Sequence, residues 1–280
     1  MKLGRDIVAT VVASDSPLGR VARAVDVMSA HMPTSLRTQS LRGLAMGKLI
    51  QNHIVDSGRS QREVSDASGI DPASLSRFLN GSRTLSDGDL SVLAWAVGLA
   101  SRDVRRALVD INQDHDESEW WVSDTTTPLA GAITTVIRSL TATTTSFSPH
   151  TIPADLTPQR RPAKPITGQY LIGRAALDHL RHGDQAAHDQ AQCLYQLAAS
   201  DDVTIRLVDI DEHIHPFQLL ALDGGYKTVK VDILDTTLYL DDINRFQAVI
   251  ETIKQRAVTV ADSLAVLGNL ATYFADKVSA

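Results

Sequence analysis

Residues 60–81 read Ser-Gln-Arg-Glu-Val-Ser-Asp-Ala-Ser-Gly-Ile-Asp-Pro-Ala-Ser-Leu-Ser-Arg-Phe-Leu-Asn-Gly, a run that leaves the backbone little choice. Ser60 followed three residues later by Glu63 is a capping box, so a helix starts at Gln61. Gly69 can adopt the left-handed conformation that ends it, with Val64 and Ala67 as its inward face and Ile70 plugging the turn. Asp71 and Pro72 restart a helix as N-cap and first helical residue. Leu75, Phe78 and Leu79 then fall at i, i+3 and i+4 and point inward. Ala73, Ser74, Ser76, Arg77 and Asn80 are thereby turned outward, and Gly81 closes the helix. Hydrogen-bonding side chains on the outer face of a short helix suit the reading of DNA base edges.

The chain's 280 residues suffice for one large domain or two ordinary ones, each with a real core. Its 43% hydrophobic and 21% charged residues are those of a soluble globular protein. The single cysteine, Cys193, excludes an internal disulfide and a Cys-rich zinc module, and points to a reducing cytoplasm. Lys2 and Arg5 ahead of the apolar residues 7–13 give a faint signal-peptide pattern, rejected because the stretch is at the short limit. No segment approaches the roughly 20 apolar residues that span a bilayer, so no membrane partner is expected. The net charge of −6 divides unevenly: residues 1–109 hold 14 Lys+Arg against 10 Asp+Glu (+4), and residues 110–280 hold 13 against 23 (−10). The basic excess accompanies the two-helix run, as a nucleic-acid binder requires.

Four regions follow along the chain. Residues 1–39 form an N-terminal extension with a helix over 17–30, capped by Ser16 and striped with Leu18, Val21, Val25 and Met28; packing on the next domain is the role expected ahead of a dimer interface or DNA contact. Residues 40–110 hold five helices, the first over 41–55 with Leu44, Leu49, Ile50 and Ile54 inward, the fourth capped by Ser86 and the fifth by Ser101. Residues 111–168 are expected to be a boundary and linker. Six acids without a Lys or Arg surround Trp120 and Trp121 in residues 110–124, residues 141–145 are Thr-rich, and residues 145–168 carry five of the ten prolines. Residues 130–140 can be helical within it. Residues 169–280 read as an α+β domain: a helix over 184–199, strands over 203–208, 217–222, 228–234 and 237–240, and helices over 242–254 and 258–277. The fold class expected is a mainly α N-terminal domain followed by an α+β C-terminal domain.

Residues 44–100 resemble the Cro/cI-type (XRE) helix-turn-helix family. The resemblance is carried by Ser60-Gln61, Ala67, Gly69-Ile70, Ser74, the Leu75/Phe78 pair, Asn80-Gly81 and Leu93-Ala94. Residues 165–275 resemble, through their order of elements, the C-terminal domain of unknown function that follows such modules in actinobacterial regulators. The first resemblance implies that the second helix of the motif enters the major groove. Arg77 would donate a bidentate pair to guanine, Ala73 would meet a thymine methyl, and Ser76 would donate or accept. Gln61, Ser74, Asn80 and Arg83 would contact phosphates, and Arg62 is the most ambiguous candidate. Against DNA contact stand solvation of Arg77 beside an acid and capping roles for Ser74 and Asn80.

Other chemistry is set aside. His179, His182, His188, His213 and His215 with Asp211 offer a zinc pattern, but histidines in loops before strands are ordinarily surface residues, and no metal is expected. Asp241 and Asp242 open a helix, where capping outweighs catalysis. Cys193 sits beside Leu194 and Leu197 and is expected to be buried. No phosphate loop, nucleophile elbow or HExxH is present, so neither an enzyme nor a cofactor is expected. The expectation is a cytoplasmic transcriptional repressor, a homodimer on a double-stranded operator, of the phage-immunity or host-regulator kind. Its C-terminal domain would serve dimerisation, a small ligand or a protein partner. The alternatives are an antitoxin-type autorepressor that grips a toxin, and a metal- or ligand-sensing protein targeted to DNA.

Overall fold

The computed structural model describes residues 39–113, 119–123, 125, 127–158, 167–182, 185–210 and 214–279. The expected helix over 17–30 lies outside them, as does most of the N-terminal extension.

The N-terminal part is five helices: α1 (Leu41–Asp56), α2 (Gln61–Ser68), α3 (Pro72–Leu79), α4 (Asp87–Ala96) and α5 (Arg102–Gln113). The starts of α1 to α4 are set by side-chain caps, whereas at α5 the expected cap, Ser101, accepts through its backbone carbonyl from Arg105 N at 3.1 Å. Ser40 Oγ accepts from Gly43 N at 3.1 Å, Asp71 Oδ2 from Ser74 N at 2.9 Å and Ser86 Oγ from Asp89 N at 3.1 Å. At α2 the reciprocal box forms, with Ser60 Oγ accepting from Glu63 N and Glu63 Oε2 accepting from Ser60 N. Ile50, Val64, Leu75, Phe78, Leu90, Leu93 and Leu108 fill the space between the helices. Two inward assignments differ from expectation. Leu44 is only half-buried, and Ala67 is exposed. Ser65 takes the buried place on α2, because its hydroxyl donates to the Ile70 carbonyl inside the turn and so satisfies a group that Ala67 could not.

The rest of the described chain builds one seven-stranded mixed sheet, in the order β1-β7-β6-β5-β2-β3-β4. The strands are β1 (Glu119–Ser123), β2 (Thr141–Ser148), β3 (Gly168–Gly173), β4 (Val203–Val208), β5 (Phe217–Leu222), β6 (Lys227–Ile233) and β7 (Thr236–Leu240). The β2–β3 and β3–β4 pairs are parallel, and the other pairs are antiparallel. Between strands run α6 (Ala130–Leu140), two 3₁₀ segments (Ala154–Leu156 and Arg174–His182) and α7 (Gln185–Ala198); α8 (Asn244–Arg256) and α9 (Val260–Ser279) follow the last strand. The architecture is therefore a helical N-terminal domain joined to an α+β domain. No single helix among the described residues is long and apolar enough to cross a membrane.

The segment expected as boundary and linker is largely structural. Residues 119–123 pair with β7 at one sheet edge, residues 130–140 are α6, and the Thr-rich run begins β2, paired on both sides by β5 and β3. Thr is β-branched and fits a pleated surface, so a composition resembling low complexity is a central strand here.

Both sheet faces are covered. On one, α8 lays Phe246, Val249, Ile250 and Ile253 over Phe147, Leu171, Phe217, Val229 and Leu238. On the other, α7 and α9 pack Leu194 and Leu267 against Tyr170, Ile172, Ile205 and Leu207. The remaining half of that second face meets α6, and α6 in turn meets α1. One apolar cluster thus runs from Leu75 and Leu93 through Ile50 and Leu41 to Ile133, Ile137, Leu222 and Tyr239. Polar ties reinforce the junction. Tyr226 Oη accepts from Leu41 N at 3.1 Å while donating to Asp241 Oδ1. Arg42, only 5% exposed, donates to Glu119 O at 2.7 Å and lies over the Trp120 ring, 5.8 Å from its centroid.

Candidate nucleic-acid interface

The interface begins with the turn between α2 and α3. Gly69 has φ of 71°, the left-handed value that a side chain would resist, and its N–H bonds to Ser65 O at 2.9 Å. Asp71 and Pro72 then fix where α3 starts, and so fix which residues face out. Leu75, Phe78 and Leu79 are 1%, 2% and 7% exposed. Ala73, Ser76, Arg77 and Asn80 are exposed and Ser74 is half-buried. Gln61 and Arg62 are exposed in the first turn of α2, and Arg83 is exposed just beyond α3.

Hydrogen bonds divide these residues. Arg83 Nη1 donates to Ser74 Oγ at 3.0 Å, so a cation is held against the first turn of α3, whose Ser74 N–H is already capped by Asp71. Arg77 Nε donates to Ala73 O at 3.2 Å, which lays the side chain back along the helix and leaves both terminal nitrogens for a ligand. Asn80 ends α3; its carbonyl accepts from Gln39 Nε2 at 3.0 Å. Sequence reasoning missed Gln39, which steadies the end of α3 across 41 positions without any local signal. Gly81 follows at φ of 69°, and a Cβ there would lie 2.7 Å from Leu44 N. Glu63 has its carboxyl held below the usual value of 4.5 by hydrogen bonds from the Ser60 backbone and side chain, so the capping box is charged near neutral pH.

The other groups singled out in the sequence form no comparable site. Asp211 and His213 lie outside the described residues, as do the side chains of His179 and His182; His188 is half-buried and His215 exposed. No cluster of three metal-ligating residues occurs among the described residues. Asp242 Oδ1 accepts from Asn244 N at 3.3 Å at the start of α8. Cys193, expected to be buried, is half-buried on α7, its Sγ 3.6 Å from Leu156 O.

A short capped helix with a bare polar face, set on a second helix through a glycine turn, defines a helix-turn-helix module. Comparison with known families agrees: residues 55–98 match the helix-turn-helix family model, and residues 155–269 match the domain of unknown function DUF5753. The chain carries an XRE-type helix-turn-helix domain of a Cro/cI-type DNA-binding regulator, followed by a DUF5753 domain. No curated protein and no solved structure matches it. The DUF5753 match starts after β2, so β1, α6 and β2 lie outside it although they complete the same sheet.

Proposed function

We propose that the protein is a sequence-specific transcriptional repressor that acts by binding, not catalysis, in the cytoplasm. In this reading α3 enters the major groove of a double-stranded operator as part of a homodimer, in the manner of a phage immunity repressor or a host regulator. Arg77 reads guanine through its terminal nitrogens, while Ala73 and Ser76 contact neighbouring base edges. Gln61, Arg62, Ser74, Asn80 and Arg83 hold the phosphates on either side. The observation that carries the reading is the outer face of α3, where Ala73, Ser76, Arg77 and Asn80 are exposed and the arginine stands in the last turn.

The test is Arg77→Ala, measured by fluorescence anisotropy on DNA flanking the protein's own gene and on random duplex. The specific complex should lose about 1–3 kcal/mol and the random one little. Equal losses would reduce Arg77 to a phosphate contact, and unchanged binding would remove α3 from the interface.

A further inference from the structure

The strand registers place Tyr170, Ser146, Gln218, Lys230 and Tyr239 side by side, one residue from each of β3, β2, β5, β6 and β7. This row crosses the middle of the sheet face that carries α6 over one half and α7 with α9 over the other. Between those coverings lies an open cleft with the polar row as its floor. It has two lobes, of about 90 and 300 Å³, that share Arg138, Asp155, Gln218 and Lys230 as lining.

Charged side chains from different elements line the cleft. Arg138 projects from α6 on one side, and among the described residues it makes no ion pair. Asp155 stands on the 3₁₀ segment Ala154–Leu156 and, among the described residues, accepts a 3.3 Å hydrogen bond from Gln218 Nε2. Lys230, by contrast, is already neutralised by Asp232 at 2.6 Å. Burial keeps the Tyr170 and Tyr239 phenols protonated far above neutral pH, so both remain hydrogen-bond donors. The larger lobe lies at the low end of the roughly 300–1,000 Å³ typical of ligand pockets, which suits a small metabolite better than a nucleotide or lipid.

We propose that this cleft binds a small zwitterion of the α-amino-acid class, its carboxylate on Arg138 and its ammonium on Asp155. The same helix that carries Arg138 packs on α1, so occupancy is felt at the DNA-binding domain; that consequence rests on the repressor reading, whereas binding itself does not.

The full chain, without DNA, is titrated by calorimetry and thermal shift with each proteinogenic amino acid at millimolar concentration. At least one should bind saturably, and its N-acetyl and methyl ester derivatives should bind about tenfold more weakly. Arg138→Gln should erase the preference for acid over ester, and Asp155→Asn the preference for amine over acetamide. Neither side chain belongs to the core, so both variants should melt unliganded at the wild-type temperature. The proposal is overturned if no amino acid binds, if the blocked derivatives bind as tightly, or if both variants bind as wild type does. None of these outcomes depends on operator binding.

Discussion

Gly47 lies where α1 crosses α3, and replacing it by alanine tests whether that crossing positions the recognition helix. A Cβ at Gly47 would sit 2.3 Å from Leu79 O, 2.7 Å from Leu79 C and 2.8 Å from Phe78 O. All three are backbone atoms of a capped helix, so no rotamer change relieves the overlap. Reaching ordinary contact requires α1 and α3 to part by about 1 Å, and overpacking of this kind costs roughly 1–3 kcal/mol, here at the upper end. Alanine's better helix propensity returns about 1 kcal/mol, for a net loss near 2 kcal/mol. Urea unfolding of the full chain, followed by far-UV circular dichroism, should show a lower midpoint at unchanged slope. Gly131, in the first turn of α6, is the control: nothing lies within 4 Å of its added Cβ, so Gly131→Ala should gain up to about 1 kcal/mol. Equal stability of Gly47→Ala and wild type would refute the reasoning, since the two helices could then separate without cost.

Three further outcomes follow from the same geometry. Glu63→Gln should lower stability at neutral pH; because the folded pKa is depressed, that contribution is present above the unfolded value of 4.5 and fades as acid protonates the folded carboxylate, so melting curves of variant and wild type should converge there. Arg42→Ala should cost about 2–4 kcal/mol in chemical denaturation, because it removes a buried side chain bonded to Glu119 O and stacked on Trp120. Arg206→Lys should cost about 2 kcal/mol by the same measurement, since one guanidinium spans Val258 O, Lys254 O and Ala257 O at the α8–α9 corner and an ammonium cannot.

The interface helices were legible because Ser60, Gly69, Asp71 and Pro72 fix both ends and hence the rotational phase of α3. Strands β4 and β5 were legible through their hydrophobic residues and flanking turns. Strand β2 was not: Phe147 is its one large apolar side chain, and its threonines find meaning only between β5 and β3. In β1, Trp120 and Val122 point in while Trp121 points out, an alternation hidden among surrounding acids. The cleft was beyond reach of sequence, since its lining comes from α6, a 3₁₀ segment and five strands spread over some hundred positions.

The shared core between α1, α6 and the sheet has a consequence for operator architecture. A reading head on a pliant tether can reach half-sites at several separations, but one welded to its neighbour cannot swivel. If two copies join through their sheet-bearing parts, the span between their groove-entering helices becomes a constant of the assembly. Adding one base pair between half-sites would then turn one of them by about 35° out of phase, and the pair could no longer be gripped together.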